Sequence, residues 1–287
     1  MTAATGPLVS TAWLHDHLAD DDLVVLEVDE QPLIYNVGHI PGARNIEWRR
    51  DLQAQLTRDI PGPEEIRALW RALGITRASR VVLYGDRNNW RACFAYWLFR
   101  LYGLKRLALV DGGRQLWRSE DRPMTTRIPA AARAARTARP RLDPASRASW
   151  RTVLDAAPQT VLLDVRTPAE FTGAAMTEPG YAHEAAQRPG HIPGAVSAPW
   201  NRATSPDGTF LGQDELRDLY AGHGVAPGRP VITYCRIGER SAHTWFVLHE
   251  LLGLDDVRNY DGSWTEWGSM IAMPVEHSRP ARPRRTR

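Results

Sequence analysis

The sequence predicts an α/β protein built as two tandem domains, each a central, mostly parallel sheet flanked by helices. Three observations carry this. Short apolar runs of strand length alternate with segments of helical apolar spacing, the pattern of parallel strands covered on both faces. Gly38-His39-Ile40-Pro41-Gly42-Ala43 recurs as Gly190-His191-Ile192-Pro193-Gly194-Ala195, and each copy is followed five residues later by a tryptophan, Trp48 and Trp200. Residues 81–117 align without a gap on 231–267 at an offset of 150, so that Asp111-Gly112 meets Asp261-Gly262 and Trp117 meets Trp267. A repeat of about 120 residues signals duplicated domains, since a solenoid repeats every 20–50.

The first unit opens with a helix after Ser10, a residue type that caps helix N-termini. A buried-type strand covers 22–28, and the GHIPGA turn follows, punctuated by Pro and Gly. A helix runs from Pro63 to Leu73 with Gly74 at its end. Strand 80–84, a loop and helix 91–102 come next, then a strand at 107–110, the Asp111-Gly112-Gly113 turn and a short helix. The second unit repeats the plan: helix 148–156, strand 160–165, GHIPGA, helix 213–221, strand 230–234, helix 241–252, strand 256–259 and helix 263–268. The domains are placed at 8–122 and 148–276. Between them lies a Pro-, Ala- and Arg-rich linker, 123–147, and after them a basic tail, 277–287, expected to be disordered.

The two units differ in one loop. From Glu27 to Gly38 is 11 residues, whereas from Asp164 to Gly190 is 26. The extra segment, about 174–188, leaves the C-terminal end of a strand, the side on which open parallel sheets bind ligands. It either borders a site or is an ordinary surface insertion.

Composition narrows the function classes. The 287 residues are 43% hydrophobic and 24% charged, with a formal net charge of +3. The basic excess is confined to residues 127–151 and 278–287. Without the 12 arginines and one aspartate of those segments, the 36 basic and 33 acidic residues fall to 24 and 32. The remainder is therefore acidic, and no basic face for nucleic acid is expected. The N-terminus lacks a basic start and an apolar core of signal-peptide type, and no apolar run approaches a membrane span of ~18 residues. Two cysteines, Cys93 and Cys235, make neither a disulfide framework nor a metal site, which suits a reducing compartment, the cytoplasm.

Chemistry concentrates in residues 231–252. The β-branched run Val231–Tyr234 ends at Cys235, a polar loop Arg236-Ile237-Gly238-Glu239-Arg240 follows, and Ser241 opens a helical pattern. A strand, a tight loop and a helix start gather backbone N–H groups around one point and favour negative charge there. With two arginines beside it, Cys235 is in a setting that favours the thiolate and is read as a nucleophile. Gly238 permits the tight cradle. Arg236 and Arg240 either bind an anionic substrate, through the forked geometry that suits oxyanions, or pair with Glu239. The aligned loop of the first unit, Gly85 to Arg91, has no thiol; Cys93 falls inside a helical apolar pattern and reads as core. His39 and His191, one in each GHIPGA turn, read as structural.

Two GHIPGA-containing α/β units, the loop after Val231–Tyr234 and the stretch Asp261-Gly262-Ser263-Trp264-Thr265-Glu266-Trp267 together resemble the tandem rhodanese-domain sulfurtransferases. The likeness covers about 10–120 and 148–275, and Cys235 to Ser241 is most similar to the thiosulfate sulfurtransferases of actinobacteria. It implies a catalytic second domain and a non-catalytic first one that helps wall the cleft. It also implies a double displacement through a Cys235 persulfide, from thiosulfate to cyanide or a thiol, with no metal and no organic cofactor. Donor and acceptor are then small molecules, with an unidentified thiol or acceptor protein as a further partner and neither nucleic acid nor membrane involved. By the same likeness Arg166, two residues after Asp164, is a further candidate anion ligand, with Asp164 behind it. The loop Arg236, Ile237, Gly238, Glu239, Arg240 and Ser241 surrounds the substrate or persulfide, Glu239 holding an arginine, and Trp264 reads from the repeat as core or as lining the pocket. Two positions depart from the animal-type pattern, Ile237 in place of Lys and Glu170 in place of Arg. The mercaptopyruvate branch, with Cys-Gly-Ser-Gly, is further away. A phosphatase of the related Cdc25 type needs Cys-x5-Arg, whereas Cys235 and Arg240 are spaced Cys-x4-Arg, a loop better sized for one sulfur. A non-catalytic sulfur-carrier or interaction module is the alternative from another class.

Overall fold

The computed structural model describes residues 6–31, 33–130 and 136–277. Part of the expected linker and nearly all of the expected basic tail lie outside them. The chain forms two compact units. One runs to Ala145 and takes in Ala203–Gln213; the other comprises Ser146–Arg202 and the chain from Asp214 onward.

Each unit contains one five-stranded parallel sheet. In the first, β1 (Leu8–Val9), β2 (Leu23–Glu27), β3 (Arg44–Asn45), β4 (Arg80–Tyr84) and β5 (Leu107–Val110) lie in the order β1-β5-β4-β2-β3. In the second, β6 (Arg147–Ala148), β7 (Val161–Asp164), β8 (Val196–Ser197), β9 (Val231–Tyr234) and β10 (Val257–Tyr260) lie in the order β6-β10-β9-β7-β8. The topology is the same, as the internal repeat requires. The two-residue strands β1, β3, β6 and β8 carry too little periodicity to be read from sequence.

β9 is the central strand of its sheet. Tyr234 pairs with Asp164 on one side and with Tyr260 on the other, so Cys235 leaves the middle of the sheet at its C-terminal edge. All four residues of β9 are buried, which is why the strand reads as continuously apolar and β-branched. The GHIPGA turns brace these central strands. The Ile40 N–H donates to the Tyr84 hydroxyl at 2.9 Å, and the Ile192 N–H donates to the Tyr234 hydroxyl at 3.2 Å. His39 and His191 are buried and stack on Tyr35 and Phe171 at 3.8 and 3.7 Å, which makes both packing residues.

Local signals act as expected at most helix ends. The Ser10 hydroxyl accepts from the Trp13 N–H at 3.0 Å, and the helix Pro63–Ala72 ends before Gly74 at φ +77°. Two expectations shift. The helix after the cysteine loop begins at Glu239, not Ser241, because Gly238 completes the turn in the left-handed region at φ +98°. It runs to Trp245 and continues as a π-helix over Phe246–Leu251. The helix of the first unit spans Trp90–Leu101, and Cys93 within it is fully buried, which pushes its thiol pKa well up. No helix among the described residues is long and apolar enough to cross a membrane.

Candidate active site

The loop after β9 is built by its backbone. The Gly238 N–H donates to the Cys235 Sγ at 3.2 Å, closing the turn over the sulfur. The Gly238 carbonyl accepts from Asn259 Nδ2 at 3.1 Å. No other residue type fits at 238, since besides its positive φ a Cβ there would lie 2.7 Å from the Asp261 Cα and 2.8 Å from the Asp261 oxygen. The turn after β10 holds the other side. The Cys235 N–H donates to the Ser263 hydroxyl at 3.1 Å, and the Cys235 and Arg236 carbonyls accept from the Trp264 and Thr265 N–H groups, each at 3.0 Å. Ser263 adopts φ +53°, a costly conformation for a residue with a side chain, to make this contact.

Each arginine of the site is paired with a carboxylate. Arg236, 2% exposed, donates from Nε to Glu184 at 2.7 Å and stacks over Tyr181 at 4.0 Å. Arg240, 1% exposed, grips Glu170 with two parallel hydrogen bonds of 3.0 Å, and its Nη1 lies 3.2 Å from Glu178. Arg166 chelates Asp164, donates to the Gly190 carbonyl at 2.7 Å and lies 4.7 Å over the Trp264 ring. Burial alone would raise the Glu170 carboxyl, but the Arg240 guanidinium outweighs it and holds the group at about 2. Burial acts to lower Arg240, and the pairing with Glu170 outweighs that too, holding it above its ordinary value.

The residues that the sequence suggests for the site are therefore in or against one loop. Cys235, Ile237, Glu239 and Ser241 are buried with Arg236 and Arg240, and Asp164 ends the neighbouring strand with Arg166 two residues beyond it. Trp264 is a core residue. Its indole donates to the Arg188 carbonyl at 3.1 Å, and it packs in one cluster with Trp267, Tyr234 and Tyr260. Sequence reasoning missed the acids that meet the arginines, Glu170, Glu178 and Glu184, and the supports Asn259 and Ser263. The one available signal is that Glu178 and Glu184 fall in the 174–188 insertion at the ligand side of the sheet.

The corresponding loop of the first unit keeps one backbone tie and lacks the thiol, and it turns through Arg87, Asn88 and Asn89 at positive φ where the second uses Gly238. The Arg114 N–H donates to the Gly85 carbonyl at 2.9 Å, matching Trp264 on Cys235. A Cβ at Gly85 would lie 2.2 Å from the Val28 oxygen, so the position excludes a cysteine as well as lacking one. Arg114 pairs with Glu27 where the second unit has Trp264 over Arg166. Burial, reinforced by Glu27, pushes the neighbouring Asp29 carboxyl up to about 9. Among the described residues no group of three or more His, Cys, Asp or Glu side chains is arranged to hold a metal ion.

Comparison with known proteins agrees with the fold and the internal repeat. The family model described as Rhodanese-like domain matches residues 10–120 and again 150–270. A protein of Thermus thermophilus named "Sulfur carrier protein TtuD" is 46% identical over 273 residues, covering 93% of this chain and 95% of that one. A protein of Saccharopolyspora erythraea named "Putative thiosulfate sulfurtransferase" is 45% identical over 271 residues, covering 94% and 96%. Among solved structures, YnjE superposes with a TM-score of 0.84 at 25% identity, covering 96% of this chain and 69% of that one. The anaerobic ergothioneine biosynthesis enzyme from Chlorobium limicola superposes at 0.83 with 23% identity over 96% and 71%, a likeness of fold alone. The chain belongs to the rhodanese family of sulfurtransferases, as a tandem of two rhodanese-like domains.

Proposed function

We propose that the chain moves sulfane sulfur from thiosulfate to a thiophilic acceptor, cyanide or a thiol, through a persulfide on Cys235. The observation that supports this most is the Cys235 Sγ at the end of the central strand, accepting the Gly238 N–H at 3.2 Å with Arg236 and Arg240 in the same loop. The thiolate attacks the outer sulfur of thiosulfate. A Cys235 S–S bond forms, the bond to the sulfonate sulfur breaks, and sulfite leaves with its electron pair. The persulfide carries the negative charge on its terminal sulfur, where the loop N–H groups stabilise it as an oxyanion hole stabilises oxygen. Cyanide or a thiolate then attacks that sulfur, and the Cys235 thiolate is released for the next cycle. Arg236, Arg240 and Arg166 are the proposed anion ligands, with Asp164 orienting Arg166. The first unit is proposed to be non-catalytic, since Gly85 leaves no room for a thiol.

The name of the Thermus thermophilus relative, a sulfur carrier protein, favours a second reading in which the persulfide is delivered to a protein thiol and small acceptors are surrogates. A paired assay tests the donor. Thiosulfate is expected to give the higher kcat/KM and 3-mercaptopyruvate the lower; the reverse order refutes the thiosulfate assignment.

A further inference from the structure

The 174–188 insertion is an Ω-loop, a compact excursion whose ends meet. Gly173 (φ +80°) and Gly190 (φ +107°) form its neck. A Cβ on Gly173 would lie 3.1 Å from the Gly190 nitrogen, and one on Gly190 would lie 2.4 Å from the Glu276 oxygen. Between these fixed ends the loop contains a single 3-10 turn, Ala182–Glu184, with local backbone bonds from Tyr181 to Glu178 and from Glu184 to Tyr181.

Two acids of this loop sit on the two guanidiniums of the cysteine loop. Glu184 binds Arg236 Nε at 2.7 Å; Glu178 lies 3.2 Å from Arg240 Nη1 and 4.0 Å from Arg236 Nη1. They differ in kind from Glu170 and Asp164. Those two are fully buried and chelate their arginines through both oxygens, whereas the side chains of Glu178 and Glu184 retain 27% and 10% of their exposure. One donor is left over. Arg236 Nη1 is buried without a hydrogen-bond partner, because Glu178 stands too far off to accept from it. Glu184 holds the Nε of the guanidinium, and the protein supplies no hydrogen-bond acceptor to the buried Nη1.

We propose that Glu178 and Glu184 are the charge-selecting residues of the site. An anionic sulfur donor takes up the unpaired Nη1 of Arg236 and competes with the two glutamates for the guanidiniums, so the Ω-loop tempers the preference that the arginines give to the more highly charged donor. The proposal rests on the reading of Cys235 as the attacking thiolate. It assigns the insertion a role in discriminating a dianion such as thiosulfate from a monoanion such as 3-mercaptopyruvate.

The test uses the full chain and two probes of the thiol that need no sulfur transfer. Alkylation of the Cys235-bearing peptide is followed with anionic iodoacetate and neutral iodoacetamide, in wild type and in E178Q/E184Q. The iodoacetate-to-iodoacetamide rate ratio is expected to rise on the order of fivefold in the double variant at low ionic strength, and the gain to shrink in high salt. In parallel, the KM for thiosulfate should fall more than that for 3-mercaptopyruvate. A ratio that stays constant or falls overturns the proposal, as does an equal rise of both KM values, which would make the glutamates supports for the arginines. If the double variant does not fold, E178Q alone should move the ratio in the same direction by a smaller factor, and no change there overturns the proposal equally. Because alkylation does not depend on the donor, a failed thiosulfate assignment leaves this readout intact.

Discussion

At the residue scale, Gly238 and the Glu170–Arg240 pair carry the most weight. Gly238 meets two demands at once, a φ of +98° and an approach to Asp261 that leaves no space for a Cβ. Gly238→Ala is expected to add about 1–2 kcal/mol of backbone strain and to pull the N–H away from the sulfur. Persulfide formation at Cys235 should then slow on the order of a hundredfold, measured by stopped reaction and mass analysis; an unchanged rate would show that the contact is dispensable. Glu170 makes a stability prediction with a definite sign. Its carboxyl is held at about 2 against an ordinary 4.5. A lowered folded value contributes stability that is complete above pH 4.5 and is lost as pH falls through about 2. Glu170→Gln should cost ~3 kcal/mol in urea unfolding at neutral pH, with the difference from wild type shrinking as pH drops below 4.5. A difference independent of pH would contradict the ion pair.

At the scale of elements, legibility follows sequence separation. The strand, loop and helix around Cys235 are contiguous, so their apolar runs and Gly238 reveal the cradle from the sequence alone. What meets the arginines is not local. Arg236 contacts Glu184 across 52 positions and Arg240 contacts Glu170 across 70, and no periodicity in the loop encodes a partner that distant. Glu239, adjacent in sequence, is the obvious candidate on spacing alone, yet Glu170, Glu178 and Glu184 are seated on the guanidiniums. Ser263 is invisible for a related reason, since nothing in its neighbours signals the positive φ that presents its hydroxyl to the Cys235 N–H. The helix start moves by two residues because the turn is finished by Gly238, not by the first polar hydroxyl after it.

At the scale of the whole molecule, duplication has kept the scaffold and left a cysteine in only one of the two loops. Both sheets have one topology, and both loops are tied by a carbonyl at the offset-150 position, Gly85 and Cys235. That repeat is legible as an ungapped alignment, and so is the absence of a thiol from the corresponding loop of the first unit. The excursion of Ala203–Gln213 into the first unit is not, because nothing in an 11-residue polar segment says which core it joins. Introducing the missing thiol should not create a second site. Gly85→Cys forces a Cβ to within 2.2 Å of the Val28 oxygen. It should destabilise the first unit by at least about 1–3 kcal/mol, while sulfur loading remains at one atom per chain. The central claim, that Cys235 alone carries the transferred sulfur, is tested most directly by intact mass after thiosulfate treatment without acceptor. Wild type is expected to gain the mass of one sulfur atom, localised to the Cys235 peptide and lost on adding cyanide, and Cys235→Ser to gain none. A wild type that gains nothing, or a Cys235→Ser chain that still loads sulfur, would contradict the account.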